Sequence, residues 1–140
     1  ETSIGLDRMF LTVLSHSFKE EGLENGESRA LLKIPPFLAP LKAAVLPLTK
    51  KDGMPKKARE IMRSLQTDFN CQYEEKDSIG KRYRRQDAIG TPFCITVDHQ
   101  TLDNNTVTLR DRDSMKQERV AVEKLHSIIF EKVNIAKYLS

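Results

Sequence analysis

The chain has 140 residues, of which 39% are hydrophobic and 31% charged, and its formal net charge is +3. It is long enough and apolar enough for one globular domain with its own core. No apolar run approaches the ~20 residues that cross a bilayer, and two cysteines cannot form a disulfide framework, which argues against membrane, disulfide-rich and disordered proteins. A reducing, cytoplasmic setting is expected, and the start at Glu1 without a methionine suggests a piece of a longer protein.

The first 40 residues predict a helix followed by a linker. Apolar residues from Leu6 to Leu14 recur at helical spacing, and this pattern ends near residue 21. Residues 22–30 are rich in Gly, Glu and Asn and predict a loop, and Pro35, Pro36 and Pro40 predict an extended stretch. We therefore expect the end of one domain over 1–21, a linker over 22–40 and a second domain over 41–140.

From Ala43 onward, short apolar or alternating runs and helical patterns follow in the order β-α-β-α-β-β-β-α. The strands are predicted at 43–48, 71–74, 93–98, 106–111 and 115–120. Helices are predicted to begin near Pro55, at Ser78 and at Val122. Alternating strands and helices favour parallel pairing, and the trailing strands favour antiparallel pairs. The prediction is an α/β fold, a five-stranded mixed β-sheet flanked by three α-helices.

Several kinds of catalytic site are poorly supported by the sequence. Glu75 stands where a phosphate-binding loop before Gly80-Lys81 requires glycine, and no Gly-rich dinucleotide motif follows a strand. The three histidines lack metal-ligand spacing, so no metal site is predicted. Cys71 and Cys94 lie on predicted strands, where packing is the better interpretation than nucleophilic chemistry.

Positive charge is concentrated in two clusters in the middle of the chain. Residues 50–60 and residues 76–90 each carry five Lys or Arg residues against two acids. Clustered cations are typical of a phosphate-bearing partner. The alternative is a solvated helix face.

The helix predicted over 78–89 has a basic face. Ile79 and Tyr83 share the side expected to face the sheet, and the apolar stripe is thin, so weak packing is expected. A basic face beside an aromatic ring can hold an RNA backbone. The alternative is a solvent face partly paired with Asp87. The opposite side carries Lys81, Arg84 and Arg85, with Arg82 and Gln86 at its boundary.

A second candidate site lies on two predicted strands, which end at Asp98 and Arg110, with Arg112 in the following turn. A carboxylate beside guanidinium groups can read cytosine, because the acid accepts from the exocyclic amine and arginine donates to the ring acceptors. Such base edges are available in single-stranded RNA loops. The alternative is that Asp98, Asp111 and Asp113 fix turns and pair with the two arginines. Both interpretations remain open.

Three longer segments stand out as motifs, namely Ser78–Phe93 (SIGKRYRRQDAIGTPF), Val107–Met115 (VTLRDRDSM) and Ala39–Leu48 (APLKAAVLPL). They resemble the anticodon-binding domain of class II glycyl-tRNA synthetases of the α2 type. The resemblance implies the mixed-sheet domain shared with the histidine, threonine and proline enzymes. It also implies that the whole protein is an ATP-dependent glycine–tRNA ligase.

The resemblance also implies roles for individual residues. The anticodon or tRNA contacts would be Lys81, Arg82, Arg85, Asp98, Arg110 and Arg112. The start of the chain, Glu1–Arg8, resembles class II motif 3, with Thr2 where relatives often carry proline. Arg8 would contact ATP phosphates, and Glu1 and Ser3 would line the glycine pocket. Motifs 1 and 2 are absent, so the chain itself is expected to be non-catalytic and to need no cofactor, while the whole enzyme uses ATP and Mg²⁺.

The expected partner is the anticodon stem-loop of tRNA(Gly), with no DNA or membrane. Dimerisation in this family runs through the catalytic domain, so the whole enzyme is expected to be a homodimer and this chain a monomer. The alternative function is a non-catalytic accessory protein that reuses the fold to bind nucleic acid or protein. A stand-alone small-molecule enzyme would have only Cys71 and Cys94 in its favour.

Overall fold

The computed structural model of the chain describes residue 8, residues 11–12 and residues 15–134. The helix predicted from Leu6 to Leu14 falls mostly outside this range. Residues 8, 11, 12 and 15–17 are helical, and the structure describes no more of that helix.

A β-hairpin occupies much of the region predicted as a helix end and a loop. Strand β1 (Phe18–Gly22) pairs antiparallel with β2 (Ser28–Leu32). The predicted loop over 22–30 is therefore wrong at residue 22 and residues 28–30, which are strand residues. The stretch around Pro35, Pro36 and Pro40, predicted to be extended, contains a 3₁₀ turn over Pro36–Leu38. The strand pattern of β2 was hidden because one of its two buried positions is a charged residue, Arg29, and the other is Leu31.

The predicted five-stranded mixed sheet is confirmed. Its spatial order is β4-β3-β5-β6-β7. Strands β4, β3 and β5 are parallel, and β6 and β7 add antiparallel pairs. The strands are β3 (Ala43–Pro47), β4 (Cys71–Tyr73), β5 (Phe93–Val97), β6 (Thr106–Asp111) and β7 (Gln117–Ala121).

Within the described residues, four helices accompany the sheet, one more than predicted. They are α1 (Met54–Gln66), α2 (Ile79–Ile89), α3 (His99–Asn104) and α4 (Leu125–Val133). The additional helix, α3, is short and begins with a capping box in which Asp98 and Thr101 exchange hydrogen bonds. A 3₁₀ turn over Val122–Lys124 delays the start of α4 relative to the predicted Val122. Within the described residues, no helix has the length and apolar character needed to cross a membrane.

The sheet is covered by apolar side chains on one face and by a more polar layer on the other. Helices α1 and α4 pack on the first face, over residues such as Val45 and Ile95. Helix α2 packs on the second face, where Tyr83 meets Ala44 and Leu46. The predicted thin apolar stripe of α2 is therefore supplemented by buried polar side chains, namely Arg82, Gln86 and Asp87.

The chain order gives the sheet a topological switch point between β3 and β5. From β3, the chain crosses by α1 to β4 on one side, and then returns by α2 over the other face to β5. The chain leaves β3 toward β4 on one side of the sheet and leaves β5 toward β6 on the other side. In open α/β sheets, ligands bind outside the carboxyl ends of the strands at such a switch point. Here that edge follows Pro47 and Val97.

Candidate nucleic-acid interface

Arg82 lies at the carboxyl edge of the sheet, but its side chain points inward. The residue is 2% exposed. Its Nη1 donates to the carbonyl oxygens of Pro47 at 2.7 Å and Glu74 at 3.0 Å. Arg82 thus joins the loops that follow β3 and β4. The predicted RNA contact does not fit this placement, because the guanidinium is buried and bound to the backbone.

The other two predicted residues of α2 are accessible. Arg85 is exposed and paired with Glu74 and Asp77, with Nη1 2.7 Å from Asp77 Oδ2. This pairing ties α2 to the loop after β4. Lys81 is exposed, and its ammonium makes no salt bridge with any residue that the structure describes. Lys81 therefore keeps its charge available to a ligand.

Arg110 does not join Asp98, as the cytosine-reading interpretation expected. It is 2% exposed, and it forms a bidentate pair with Asp87, at 2.8 Å from Nη1 to Oδ1 and 3.1 Å from Nη2 to Oδ2. Arg29 also donates to Asp87 Oδ2 at 3.0 Å. The Arg110 guanidinium lies over the Tyr83 ring, 4.7 Å from its centroid. One buried carboxylate thus links the hairpin, α2 and β6.

Arg112 is buried too, and it holds the turn between β6 and β7. Its Nη1 donates to the carbonyl oxygen of Gly90 at 2.9 Å, and its Nε donates to Asp113 at 2.9 Å. Asp111 Oδ1 accepts from the backbone N–H groups of Asp113 and Ser114. These contacts agree with the alternative interpretation, in which Asp111, Asp113 and Arg112 fix the turn. The burial of Arg112 does not fit a direct contact with a base.

Asp98 meets a different arginine, Arg119 on β7. Arg119 Nη2 donates to Asp98 Oδ2 at 2.6 Å and Nη1 donates to Oδ1 at 3.1 Å. Hydrogen bonds from Arg119 hold the pKa of Asp98 below its usual value, and those from Asp98 raise the pKa of Arg119. The side chains are 19% and 31% exposed. The acid-plus-guanidinium pair is therefore ionised and reachable from solvent.

This pair borders an open part of the sheet. Because Thr96 pairs with Thr108, and Thr108 pairs with Arg119, these residues share the α2 side of the sheet. Thr106 and Thr108 are half-buried, and Gln117 and Arg119 are exposed. The result is a polar strand surface beside the carboxyl edge. Sequence reasoning missed Arg119, although the register of a β6–β7 hairpin could have placed it near Asp98.

The cysteines are not activated. Burial raises the pKa of the Cys94 thiol to about 12 and that of Cys71 to about 11. Because the thiolate is the nucleophile, both groups are poor nucleophiles at neutral pH. The packing interpretation of these residues agrees with their surroundings.

The residues that motif 3 resemblance assigned to glycine, Glu1 and Ser3, lie outside the described residues. Arg8 is exposed on its helix. No group of three His, Cys, Asp or Glu side chains within the described residues is arranged to hold a metal ion. Arg8 alone does not form a site for ATP or Mg²⁺.

Comparison of the sequence with known protein families assigns the chain to a family. The family described as anticodon binding domain matches residues 42–132. The chain belongs to the anticodon-binding domain family. The resemblance noted from the three sequence segments is thereby confirmed.

The similar curated proteins are glycine–tRNA ligases. The chain is 52% identical over 133 residues to that of Clostridium tetani, which covers 95% of this chain and 28% of the relative. It is 55% identical over 124 residues to that of Chlorobaculum tepidum, covering 89% and 26%, and 48% identical over 129 residues to that of Borrelia hermsii, covering 92% and 29%. The anticodon-binding domain described here therefore spans between a quarter and three tenths of these relatives.

A solved structure shares the fold. The RNA-binding domain of threonyl-tRNA synthetase from Cryptosporidium parvum Iowa II superposes with a TM-score of 0.65 at 22% identity, over 71% of this chain and 25% of that chain. This likeness agrees with the mixed sheet and its helices, and it speaks for the fold alone.

Proposed function

We propose that this chain is the C-terminal domain of a glycine–tRNA ligase and that it reads the anticodon of tRNA(Gly). The family match and relatives of about 50% identity support this proposal. The observation that carries the base-reading part is the solvent-accessible Asp98–Arg119 pair at the carboxyl edge of the sheet.

The pair has the chemistry needed to recognise cytosine. Glycine anticodons end in two cytosines, and a cytosine presents an exocyclic amine beside ring acceptors. Asp98 Oδ2 accepts from Arg119 and keeps a lone pair for an amine. Arg119 uses three of its five N–H donors on Asp98 and the carbonyl oxygen of Thr106, which leaves two. Lys81 would add a phosphate contact from α2.

The whole protein would perform the ligase reaction with ATP, Mg²⁺ and glycine, as a homodimer in the cytoplasm. Arg8, Glu1 and Ser3 would serve ATP and glycine there, together with parts outside this chain. Aminoacylation of tRNA(Gly) by the full-length protein, and none by residues 1–140, is the expected result.

A tRNA titration tests the base-reading proposal. The chain is titrated with tRNA(Gly) and with the same tRNA carrying both anticodon cytosines replaced by adenines. Each good bidentate contact gives ~1–3 kcal/mol of discrimination. We expect the native tRNA to bind at least about fivefold more tightly, and equal affinity for the two RNAs would refute base reading.

Two conservative variants test whether the Asp98–Arg119 pair is responsible for the preference for cytosine. Asp98→Asn retains a side-chain acceptor for capping α3, and removes the charge. Arg119→Lys retains a charge, and removes the planar fork. Both are expected to reduce the preference for cytosine while the domain stays folded. Arg110→Ala is the comparison, because the buried Arg110 should affect stability and leave the preference unchanged in the folded fraction.

A further inference from the structure

One charged surface has no part in the proposed anticodon site. It consists of six cations on the loop after β3 and along α1, against the acids Asp52 and Glu60. We call it the α1 ridge. We propose that the α1 ridge binds the sugar–phosphate backbone of tRNA, independently of base sequence. Its members are Lys50, Lys51, Lys56, Lys57, Arg59 and Arg63.

The helix geometry places Lys56, Arg59 and Arg63 on the outward side of α1, with the half-buried Lys57 at the flank. Met54, Ala58, Ile61 and Leu65 form the buried side of α1. Positions 56, 59 and 63 are separated by three and four residues, so they form one stripe ~10 Å long on the exposed side. Lys50 and Lys51 are exposed at the carboxyl edge of the sheet and extend the stripe toward it.

The cations of the α1 ridge are not neutralised by the protein. Among the described residues, none of the six takes part in a salt bridge. Asp52 Oδ2 lies 3.9 Å from His99 Nε2 and forms no salt bridge with the ridge cations. The first turn of α1 carries no acid, so the positive end of the helix dipole adds to the same field.

The basic cluster of α2 is a contrasting case. Arg82 is buried on backbone carbonyl oxygens, Arg84 lies 3.7 Å from Asp87, and Arg85 is paired with Asp77. Exposed, unpaired cations release more condensed counterions when they meet phosphate than cations that already have carboxylate partners. The α1 ridge therefore has the stronger claim to phosphate contacts.

Arg59 adds an aromatic surface to the ridge. Its guanidinium lies over the Tyr73 ring, 4.6 Å from the centroid. Tyr73 belongs to the edge strand β4 and is half-buried. Such stacking fixes the orientation of a cation and leaves its N–H donors at the rim to meet phosphate oxygens.

The ridge contains no acid-plus-arginine pair like Asp98–Arg119. Four of its six cations are lysines, which act on phosphate as point charges and carry little base information. We therefore expect the ridge to strengthen binding to any RNA of suitable shape. This inference rests on the proposed function, since it assumes that tRNA is the ligand.

A triple variant tests the ridge. Lys50→Ala, Lys56→Ala and Arg63→Ala remove three exposed charges and leave the buried side of α1 intact, and alanine favours helix. Binding of tRNA(Gly), of the tRNA with replaced anticodon cytosines, and of an RNA hairpin with the same stem and another loop is measured from 50 to 200 mM salt. We expect all three affinities to fall at least about tenfold at low salt, and the slope of log K against log salt to become smaller by about 2–3.

A matched triple variant controls for the loss of charge itself. Lys33→Ala, Lys116→Ala and Lys132→Ala remove three exposed lysines outside the ridge, and the salt slope should change by less than half as much. If the ridge variant is folded and its slope equals that of the control, the ridge proposal is wrong. The preference for anticodon cytosines reports separately on the proposed function, since the ridge variant should leave that ratio unchanged.

Discussion

The carboxylate of a single side chain, Asp87, accepts hydrogen bonds from two buried arginines. Its carboxylate is 0% exposed and accepts hydrogen bonds from Arg29 and Arg110, both nearly or fully buried. Removing one partner from such a cluster leaves an uncompensated charge away from water, which costs more than the pair contributes.

The Asp87 cluster predicts a large loss of stability when its carboxylate is removed. Asp87→Ala would leave the buried Arg110 guanidinium without its carboxylate and Arg29 with Glu21 alone, and we expect the free energy of unfolding to fall by about 3–5 kcal/mol. Urea denaturation measures the change. Arg84→Ala is the matched control, because Arg84 is 41% exposed and 3.7 Å from Asp87, and it should lower stability by about 1 kcal/mol or less. Similar losses in the two variants would contradict the role assigned to the cluster.

Three of the arginines predicted to contact tRNA are buried in the structure. Arg82, Arg110 and Arg112 stand in sequence segments rich in charge, and exposure is the usual state of such residues. Each instead finds buried carbonyl or carboxylate acceptors contributed by distant segments. Sequence spacing does not report such acceptors, so burial of these three side chains could not be predicted from it.

At the scale of elements, Gly90 allows α2 to end against the hairpin. Its φ is +86°, and a Cβ atom there would lie 2.9 Å from the Ile34 side chain and 3.2 Å from the carbonyl oxygen of Leu32. Both the left-handed backbone and the close approach favour glycine.

A pair of alanine substitutions tests this contact. Gly90→Ala combines backbone strain with a clash, and we expect a loss of roughly 1–3 kcal/mol in the free energy of unfolding. Gly80→Ala lies in the same helix with nothing within 4 Å of the added Cβ, so it should be neutral or stabilise by up to about 1 kcal/mol. Thermal unfolding measures the stability of both variants. A Gly90→Ala protein as stable as the parent would show that the close contact at Gly90 does not require glycine.

The elements themselves were predictable where burial follows apolar residues. Strands β3, β5 and β6 and helix α1 carry clear apolar patterns, and Ser78 caps α2 as expected. The hairpin was missed because Arg29 occupies a buried strand position. Arg119 was missed because β7 is an edge strand whose charged residues conceal its alternation.

On the scale of the whole molecule, the hairpin and the sheet domain form a continuous packed unit. Leu31 and Ile34 are 1% and 0% exposed, and Arg29 enters the buried cluster of α2 and β6. The family match nevertheless begins at residue 42. The stable folding unit is therefore expected to be larger than the family-defined domain.

Two truncations test the size of this unit. Removing residues 1–33 takes away the hairpin, and with it the burial of Leu31, while uncovering Ile34. Since burial of such a side chain is worth ~1.5–3 kcal/mol, we expect a loss of roughly 3–6 kcal/mol in unfolding free energy. Removing residues 1–15 spares the hairpin and should change stability by less than 1 kcal/mol. Equal urea midpoints for the two truncated chains would show that the hairpin does not stabilise the domain.

The shared carboxylate of Asp87 also constrains how this protein can vary. Its two arginine partners lie 58 and 23 residues away along the chain. Losing Asp87 leaves Arg110 without its carboxylate and Arg29 with Glu21 alone, and losing either arginine leaves Asp87 with one buried arginine partner, whereas replacing all three by apolar residues of similar volume can be tolerated. The three positions should therefore change together in related sequences. A change at one position should be tolerated only where the other two have already changed.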